Sequence, residues 1–401
     1  MELDFERLIE FDLIEKFEEE LFKGNQIVNN IETMNEFITS LHHIRSVDQF
    51  IKDSPSFPGS TDKIIRNEMV SAIGATLAIE GTQLGNDEIE ESFHKADLNE
   101  SLERKQQEAE NSRMVYQFII DLVRGTESKF IFSEAIIKQI HKYFTENMNY
   151  LGNRPGDYRG DFPATFGVPR RDGLCKTRSD VTVAMAQFVK WLNRDSGGIL
   201  SNNIIVKAIM SHYYLTEIHP FADGNGRTAR ALEALVLYVN GINDYCFWSL
   251  ANFWSLHRDE YIIHLGNIRN ACSALDFVIW GMKGYLEEIK RIKALVLKKV
   301  KQLMLMDYTK YLFETKREQK VKINQRIINV LRLLIRAGKI PLRKFQSMPE
   351  IQALYKNVSP PTKSRDFKKM SKGELIKIQE ENGEWFIEPN YQILDSLRYG
   401  V

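Results

Sequence analysis

Residues 219 to 230 read HPFADGNGRTAR, which brings one imidazole, one carboxylate, two arginines and a Gly-Asn-Gly run into twelve positions. Pro220 disfavours helical geometry at His219, so a helix arriving here should end with the imidazole at its C-terminal edge. Gly224 and Gly226 permit backbone geometry that other residues resist, and RTARALEALVLYV beyond them has the spacing of a new helix. A helix that starts at such a turn offers N–H groups and a favourable dipole to an anion. Arg227 and Arg230 lie three apart, hence on one face, and add permanent positive charge. The turn is suited to a polyphosphate. Asp223 would repel phosphates unless a divalent cation bridged them, and Mg²⁺ is the natural choice. His219, near neutrality at physiological pH, could take a proton from an incoming hydroxyl. Together these residues predict transfer of a group from a nucleotide to a hydroxyl.

The flanks that must position this turn read as helices. NNIIVKAIMSHYYLTEI at 202–218 is apolar at three- and four-residue intervals and runs into His219, and VTVAMAQFVKWLN at 181–193 has the same pattern. Between 151 and 173, LGNRPGDYRGDFPATFGVPRRDG holds too many Gly and Pro residues for a regular helix and predicts a loop or short hairpin. Residues 1–60 read as an N-terminal helical region ending at SPSFPGS, after which 62–80 predicts a helix closed by Gly81. The expected division is a core over 61–281, a linker helix over 282–320 and a separate module over 321–401. In that module a helix stopped by Gly338, a basic helix in SPPTKSRDFKKMSKGEL and a hairpin turned at Glu381, Asn382 and Gly383 follow the layout of a winged helix.

Composition limits the function classes less than the motifs do. The 401 residues, 43% hydrophobic and 27% charged, suffice for two or three domains, and 54 basic residues balance 54 acidic ones, so net charge favours no partner. Residues 321–401 differ, with 15 Lys or Arg against 8 Asp or Glu. No apolar run is long enough to span a bilayer, and MELDFERLIEFDLIEKFEEE is acidic where a signal peptide would be basic and then apolar; a cytoplasmic protein with no membrane partner is expected. Cys175, Cys246 and Cys272 are widely spaced and form no CxxC, so they predict buried apolar residues rather than disulfides or a zinc site.

HPFADGNGR followed by Arg230 resembles the signature of the Fic family at every specified position, and the resemblance extends over about 62–275. GDYRGDFPATFGVP at 156–169 is similar to the family's flap, and FVKWLN at 188–193 to the helix that follows it. The resemblance implies a Fic-type helical core with a small β-hairpin flap, so that with the C-terminal winged helix read from its own pattern the expected fold is mainly α. It implies an enzyme that transfers AMP from ATP to a Ser, Thr or Tyr hydroxyl of a target protein. His219 would be the general base and Asp223 the Mg²⁺ ligand. Asn225 with the backbone of Gly224 and Gly226 would hold the α-phosphate, and Arg227 and Arg230 the distal phosphates. Phe221 would point into the core, and the flap would pair with the target's main chain whatever its side chains.

TLAIEG at 76–81 resembles the family's inhibitory motif. Thr76, Glu80 and Gly81 would then form a brake on a helix ahead of the core, with Glu80 bridged to Arg230 where the γ-phosphate should settle. Removal of AMP from a modified target is a further activity implied by the family. Related chemistry moving a phosphate, UMP or phosphocholine group is an alternative, although GNGR-x-x-R favours ordinary nucleotide orientation. Tyr261, in DEYIIHL, is somewhat like a family residue near the adenine, whereas His212 and His264 read as packing or surface residues. The chain itself could also be a target, and a second copy could bind to form a homodimer. Lys363, Arg365, Lys368 and Lys369 could meet DNA phosphates, or the module could dock a protein. The competing class is therefore a DNA-binding regulator controlled by a nucleotide-binding core.

Overall fold

The computed structural model describes residues 27–396 apart from 56–59, 127–128, 149–153, 163, 167–170, 196–202, 243–249, 269–270 and 316–320. Residues 1–26 of the expected N-terminal helical region, and 163 and 167–170 among others of the flap region, lie outside the described residues. The chain divides into two compact units, Met1–Lys293 and Ala294–Val401.

The first unit is helical with one small hairpin. Helices α1 (Ile27–Asp53), α2 (Ser60–Ile79), α3 (Asn86–Asp97), α4 (Arg104–Arg124) and α5 (Glu134–Thr145) precede strands β1 (Thr165–Phe166) and β2 (Arg171–Asp172). Then come α6 (Arg178–Asn193), α7 (Ile204–Ile218), α8 (Asn225–Val239), α9 (Ala251–Leu256), α10 (Arg258–Asn267) and α11 (Ala271–Thr315), whose later residues belong to the second unit. The hairpin is antiparallel, with Thr165 opposite Asp172 and Phe166 opposite Arg171.

Helix α8 is the centre of this unit. It is buried on all its faces from Asn225 to Leu237, Gly226 alone being partly open, and a helix enclosed all round must find partners for its polar residues inside the protein. Caps fix where the neighbouring helices start. Thr177 and Asp180 form a capping box at α6, and the Asn203 carboxamide oxygen accepts from the N–H groups of Ile205 and Val206 at α7.

Helix α2, which carries TLAIEG, is part of the core. Val70, Ala72, Ile73 and Leu77 are at most 2% exposed, and Arg291 forms a forked ion pair with the buried Glu68. Gly81 ends the helix at φ 92°, where its N–H and that of Thr82 bond the carbonyls of Ala78 and Leu77. Arg258 Nε adds a hydrogen bond of 3.0 Å to the Ile79 carbonyl. The carbonyls of the last turn are thus satisfied, which fixes the direction in which residue 80 leaves.

In the second unit α12 (Val321–Ala337) is followed by β3 (Ile340–Pro341), α13 (Leu342–Ser347), α14 (Pro349–Tyr355), α15 (Pro360–Lys372), β4 (Ile376–Glu381), β5 (Glu384–Pro389) and α16 (Ile393–Ser396). The sheet order is β3-β5-β4, and the β4–β5 turn is Asn382-Gly383, with φ of 50° and 81°. Positive φ at both central residues is what a two-residue hairpin needs to match the strand twist. Helices, short strand and hairpin follow one another as in a winged helix. Arg326 Nε donates to the buried Asp366 at 2.7 Å and ties α15 to α12, while Leu331, Phe345, Phe367 and Ile387 meet in one core.

Because α2 is interior, Leu77→Ala is expected to destabilise the protein by about 2–5 kcal/mol. Arg66→Ala, at an exposed pair with Glu90, is expected to cost no more than about 0.5 kcal/mol. Urea midpoints of the two variants against the parent check this.

Candidate active site

The turn between α7 and α8 is held by its own side chains. His219 caps α7 at φ 48°, ψ 59°, a left-handed conformation that a residue with a Cβ adopts only when its surroundings enforce it. Gly224, at φ 74°, caps α8, and a Cβ there would lie 3.2 Å from the Thr145 methyl and 3.4 Å from the His141 ring. The helix begins at Asn225, two residues ahead of the start at Arg227 expected from the sequence. Two contacts account for this. The Asn225 carboxamide accepts from Phe221 N–H and donates to Phe221 C=O, both at 2.9 Å, which closes the turn. Gly226 sits beneath Glu80, whose Oε1 would collide with any Cβ at that position. With its carboxamide engaged, Asn225 can meet an anion through its main-chain N–H, alongside those of Gly226 and Arg227 in the open first turn.

His219 is largely buried. Arg159 donates from Nε to the His219 carbonyl at 2.8 Å and from its main-chain N–H to the Pro220 carbonyl at 2.9 Å, which ties the segment before the hairpin to the turn. Its other guanidinium nitrogens bond the carbonyls of Phe162 and Cys175. Burial first, and the charge of Arg159 second, pull the His219 imidazole down to about 4. The ring is therefore a neutral proton acceptor at physiological pH.

Arg230 is 1% exposed and meets α2 end on. Its Nε donates to Thr76 Oγ1 at 2.6 Å, and its Nη2 donates to Glu80 Oε1 at 2.6 Å and to the Thr76 carbonyl at 3.2 Å. Burial works to raise the Glu80 carboxyl, but Arg230, with Arg227, outweighs it and holds the group below the usual carboxylate range. Burial likewise opposes the charge on Arg230, and Glu80 with Tyr261 more than offsets it. Tyr261, close enough to Arg230 to feel its charge, meets His212 Nε2 at 2.8 Å, and His212 Nδ1 lies 2.7 Å from Glu233 Oε2. A buried hydrogen-bonded chain thus runs from Tyr261 through His212 to Glu233 beside Arg230.

Arg227 is nearly buried, and its approach to Asp223 is long, with Nη2 3.4 Å from Oδ2. Among the described residues its buried Nε has no hydrogen-bond acceptor, which is an unmet donor beside an open helix N-terminus. Asp223 is about half exposed. Among the described residues no three His, Cys, Asp or Glu side chains converge as a metal site. A single open carboxylate fits Mg²⁺, which keeps waters and takes further ligands from substrate phosphates.

A profile of the Fic/DOC family matches residues 131–237, the stretch containing α5, the hairpin and the α7–α8 turn. Residues 131–237 are a Fic/DOC family domain. The chain is 43% identical over 62 residues to protein adenylyltransferase Fic of Culex quinquefasciatus, and 44% identical over 57 residues to protein adenylyltransferase fic-1 of Caenorhabditis briggsae. Those matches cover 16% and 14% of this chain and 12% and 11% of the relatives, so the chain spans about an eighth of the length of these curated relatives. In fold it is similar to a Fic family protein from Desulfovibrio desulfuricans, with a TM-score of 0.54 at 16% identity, covering 88% of this chain and 95% of that one. Fic-1 (residues 134–508) from C. elegans gives a TM-score of 0.52 at 20% identity, covering 69% and 79%.

The Fic domain thus gathers His219, Asp223, Gly224, Asn225, Gly226, Arg227 and Arg230 at one helix start, with Thr76, Glu80 and Gly81 against it. Phe221 is fully buried, and Cys175 is buried, its thiol pushed up to about 11 by that burial. Cys246 and the side chain of Cys272 lie outside the described residues. His264 stacks on Trp280, with ring centroids 4.5 Å apart. Three features went unrecognised in the sequence: the Arg159 clamp, the Tyr261–His212–Glu233 chain, and His141, which packs on the turn. Arg159 lies in GDYRGDF, where a lone arginine among glycines and acids gives no hint that it binds carbonyls. The others depend on residues 21 to 82 positions apart meeting in the core.

With its folded pKa below the ordinary value, His219 remains unprotonated until the pH falls well under 6.5. The acid limb of kcat/KM for group transfer is therefore expected near pH 4 to 5, with little loss between pH 7 and 6, and a pH–rate profile on a protein target checks it.

Proposed function

We propose that this chain is an autoinhibited protein adenylyltransferase, transferring AMP from ATP to a Ser, Thr or Tyr hydroxyl of a target protein. The observation that carries the reading is the Glu80–Arg230 pair above Gly226. A site made of helix N–H groups and arginines is suited to anions, and here the chain supplies an anion of its own. The match to relatives named protein adenylyltransferase supports the same chemistry.

In this reading the main-chain N–H groups of Asn225, Gly226 and Arg227 hold the α-phosphate, and Arg227 and Arg230 hold the distal phosphates. Neutral His219 takes the proton of the target hydroxyl as its oxygen attacks the α-phosphorus. One P–O bond forms to the target, the P–O bond to the β-phosphate breaks, and pyrophosphate leaves with its charge stabilised by the arginines. Asp223 would hold Mg²⁺, which when bound neutralises phosphate charge. The β1–β2 hairpin would pair with the target's main chain, a mode tolerant of side-chain identity. Glu80, seated on Arg230, leaves no room there for a γ-phosphate, so the α-phosphate is turned away from in-line attack. Reversal of the modification, with Glu80 positioning water, is compatible with the same geometry.

Incubation with α-labelled and then γ-labelled ATP discriminates the chemistries: α label entering protein supports AMP transfer, and γ label alone contradicts it. Glu80→Gly is expected to raise incorporation, including self-modification, at least about tenfold, the equivalent of roughly 1.4 kcal/mol of barrier. Adding His219→Ala should abolish transfer with nucleotide binding retained. Adding Arg230→Ala instead should leave little activity, because the phosphate ligand goes with the inhibitory partner.

A second role in DNA binding is favoured by α15. Arg365, Lys368 and Lys372 are exposed at helical spacing and have no ion pair among the described residues, whereas Lys363 lies over the Tyr355 ring. The hairpin that follows it is acidic, with Glu380, Glu381, Glu384 and Glu388. Any contact should therefore run through the helix and reach phosphates alone. Reversing Arg365 and Lys368 to Glu is expected to weaken duplex binding and flatten its salt dependence by about one unit of slope for each phosphate no longer neutralised. No binding at low salt by the parent chain, measured by fluorescence anisotropy, would rule this role out.

A further inference from the structure

We infer that His141, on α5, is a positioning residue for the active-site turn: one neutral ring locks the Asp223 main chain and the Phe221 ring in place and joins them to the segment leading to the hairpin. This deepens the adenylyltransferase reading and rests on it for its catalytic consequence.

The ring makes contacts in three directions. Its plane stacks on Phe221 with centroids 3.7 Å apart and planes within 2° of parallel. Nδ1 accepts a hydrogen bond of 3.0 Å from the Gly156 N–H. A ring nitrogen that accepts carries no proton, so in the neutral ring the proton is on Nε2. Nε2 lies 3.0 Å from the Asp223 carbonyl oxygen and donates to it. Both nitrogens are thus assigned by their partners, with no alternative tautomer that keeps both bonds.

What the ring holds gives it its effect. Asp223 is the last residue before the left-handed Gly224, and the Gly224 Cα faces the His141 ring edge and the Thr145 methyl so closely that a Cβ would crowd both. Fixing the Asp223 carbonyl therefore sets the peptide plane entering Gly224, and with it the direction of the first N–H groups of α8. It also sets the stem from which the half-exposed Asp223 carboxylate projects. On its other edge the ring holds Gly156, three residues before Arg159, whose guanidinium grips the His219 carbonyl. The proton acceptor, the carboxylate and the anion-facing N–H groups are consequently referred to one rigid group on α5. Transfer depends steeply on such alignment. His141 touches no reacting atom, so its loss should appear in turnover more than in nucleotide affinity.

The test uses the full-length chain with Glu80→Gly as parent. His141→Phe keeps the stacked ring and removes both hydrogen bonds. His141→Gln restores a donor near the Nε2 position, and His141→Asn restores an acceptor near Nδ1 without that donor. For His141→Phe the expected results are a kcat for AMP transfer at least tenfold lower, a KM for ATP within about threefold of the parent, and faster hydrogen exchange over 219–230 with 321–337 unchanged. Gln should recover most of the kcat and the protection, and Asn less. Unchanged exchange over 219–230, or Gln performing no better than Phe, would overturn the inference. If His141→Phe does not fold, the Gln-over-Asn order decides in its place. If the Glu80→Gly parent transfers no AMP, the adenylyltransferase reading fails by itself, and the exchange measurement alone decides whether His141 holds the turn.

Discussion

A guanidinium buried to 1% exposure in a helical core requires a counter-anion, and the rest of the site follows from how Arg230 obtains one. Leaving such a charge unpaired costs on the order of 3–5 kcal/mol. Three groups share the task here: Glu80 supplies charge, and the Thr76 hydroxyl and the Thr76 carbonyl fill remaining donors. For these to reach Arg230, α2 must lie against α8 with its last turn pointing at the α8 N-terminus. Residue 226 must also lack a side chain. The pairing is therefore a constraint on two separate stretches of chain, 76–80 and 226–230, and under the proposed activity a nucleotide can satisfy Arg230 only by taking over the place of Glu80.

The packing of α2 also limits how the proposed brake could be released. This helix contributes Val70, Ile73 and Leu77 to the core and is tied down by Arg258 and Arg291, so detaching it would expose several fully buried side chains. Glu80 is different. It follows the last helical residue, and its side chain is 38% exposed, so a local rearrangement can move it while α2 stays packed. Beside Arg230, the buried Tyr261–His212–Glu233 chain is made of hydrogen bonds that do not involve Glu80.

Much of the architecture was legible because it rests on local signals. Pro220 ends α7, Gly81 and Gly338 close α2 and α12 with positive φ, and Asn382-Gly383 makes the hairpin of the C-terminal unit, each from the backbone preference of the residue concerned. The early start of α8 was not legible. Propensity disfavours Gly226 in a helix, and the competing terms, the Asn225–Phe221 clasp and the approach of Glu80, come from outside the segment. The Glu80–Arg230 contact joins residues 150 apart and was expected from family resemblance rather than from spacing. His141 and Arg159 had no signal at all, and Tyr261 only a likeness that pointed towards adenine. Each is an ordinary residue on its own stretch of chain and acquires its role from long-range partners.

In the proposed mechanism Glu80 and a γ-phosphate compete for one guanidinium. ADP has no γ-phosphate, so its binding should be nearly indifferent to that competition. Calorimetric titration of the parent chain and Glu80→Gly with ATP and with ADP, in Mg²⁺, tests it most directly. The substitution is predicted to tighten ATP binding at least about tenfold more than ADP binding, a difference of roughly 1.4 kcal/mol. Equal gains for the two nucleotides, or none for either, would contradict it.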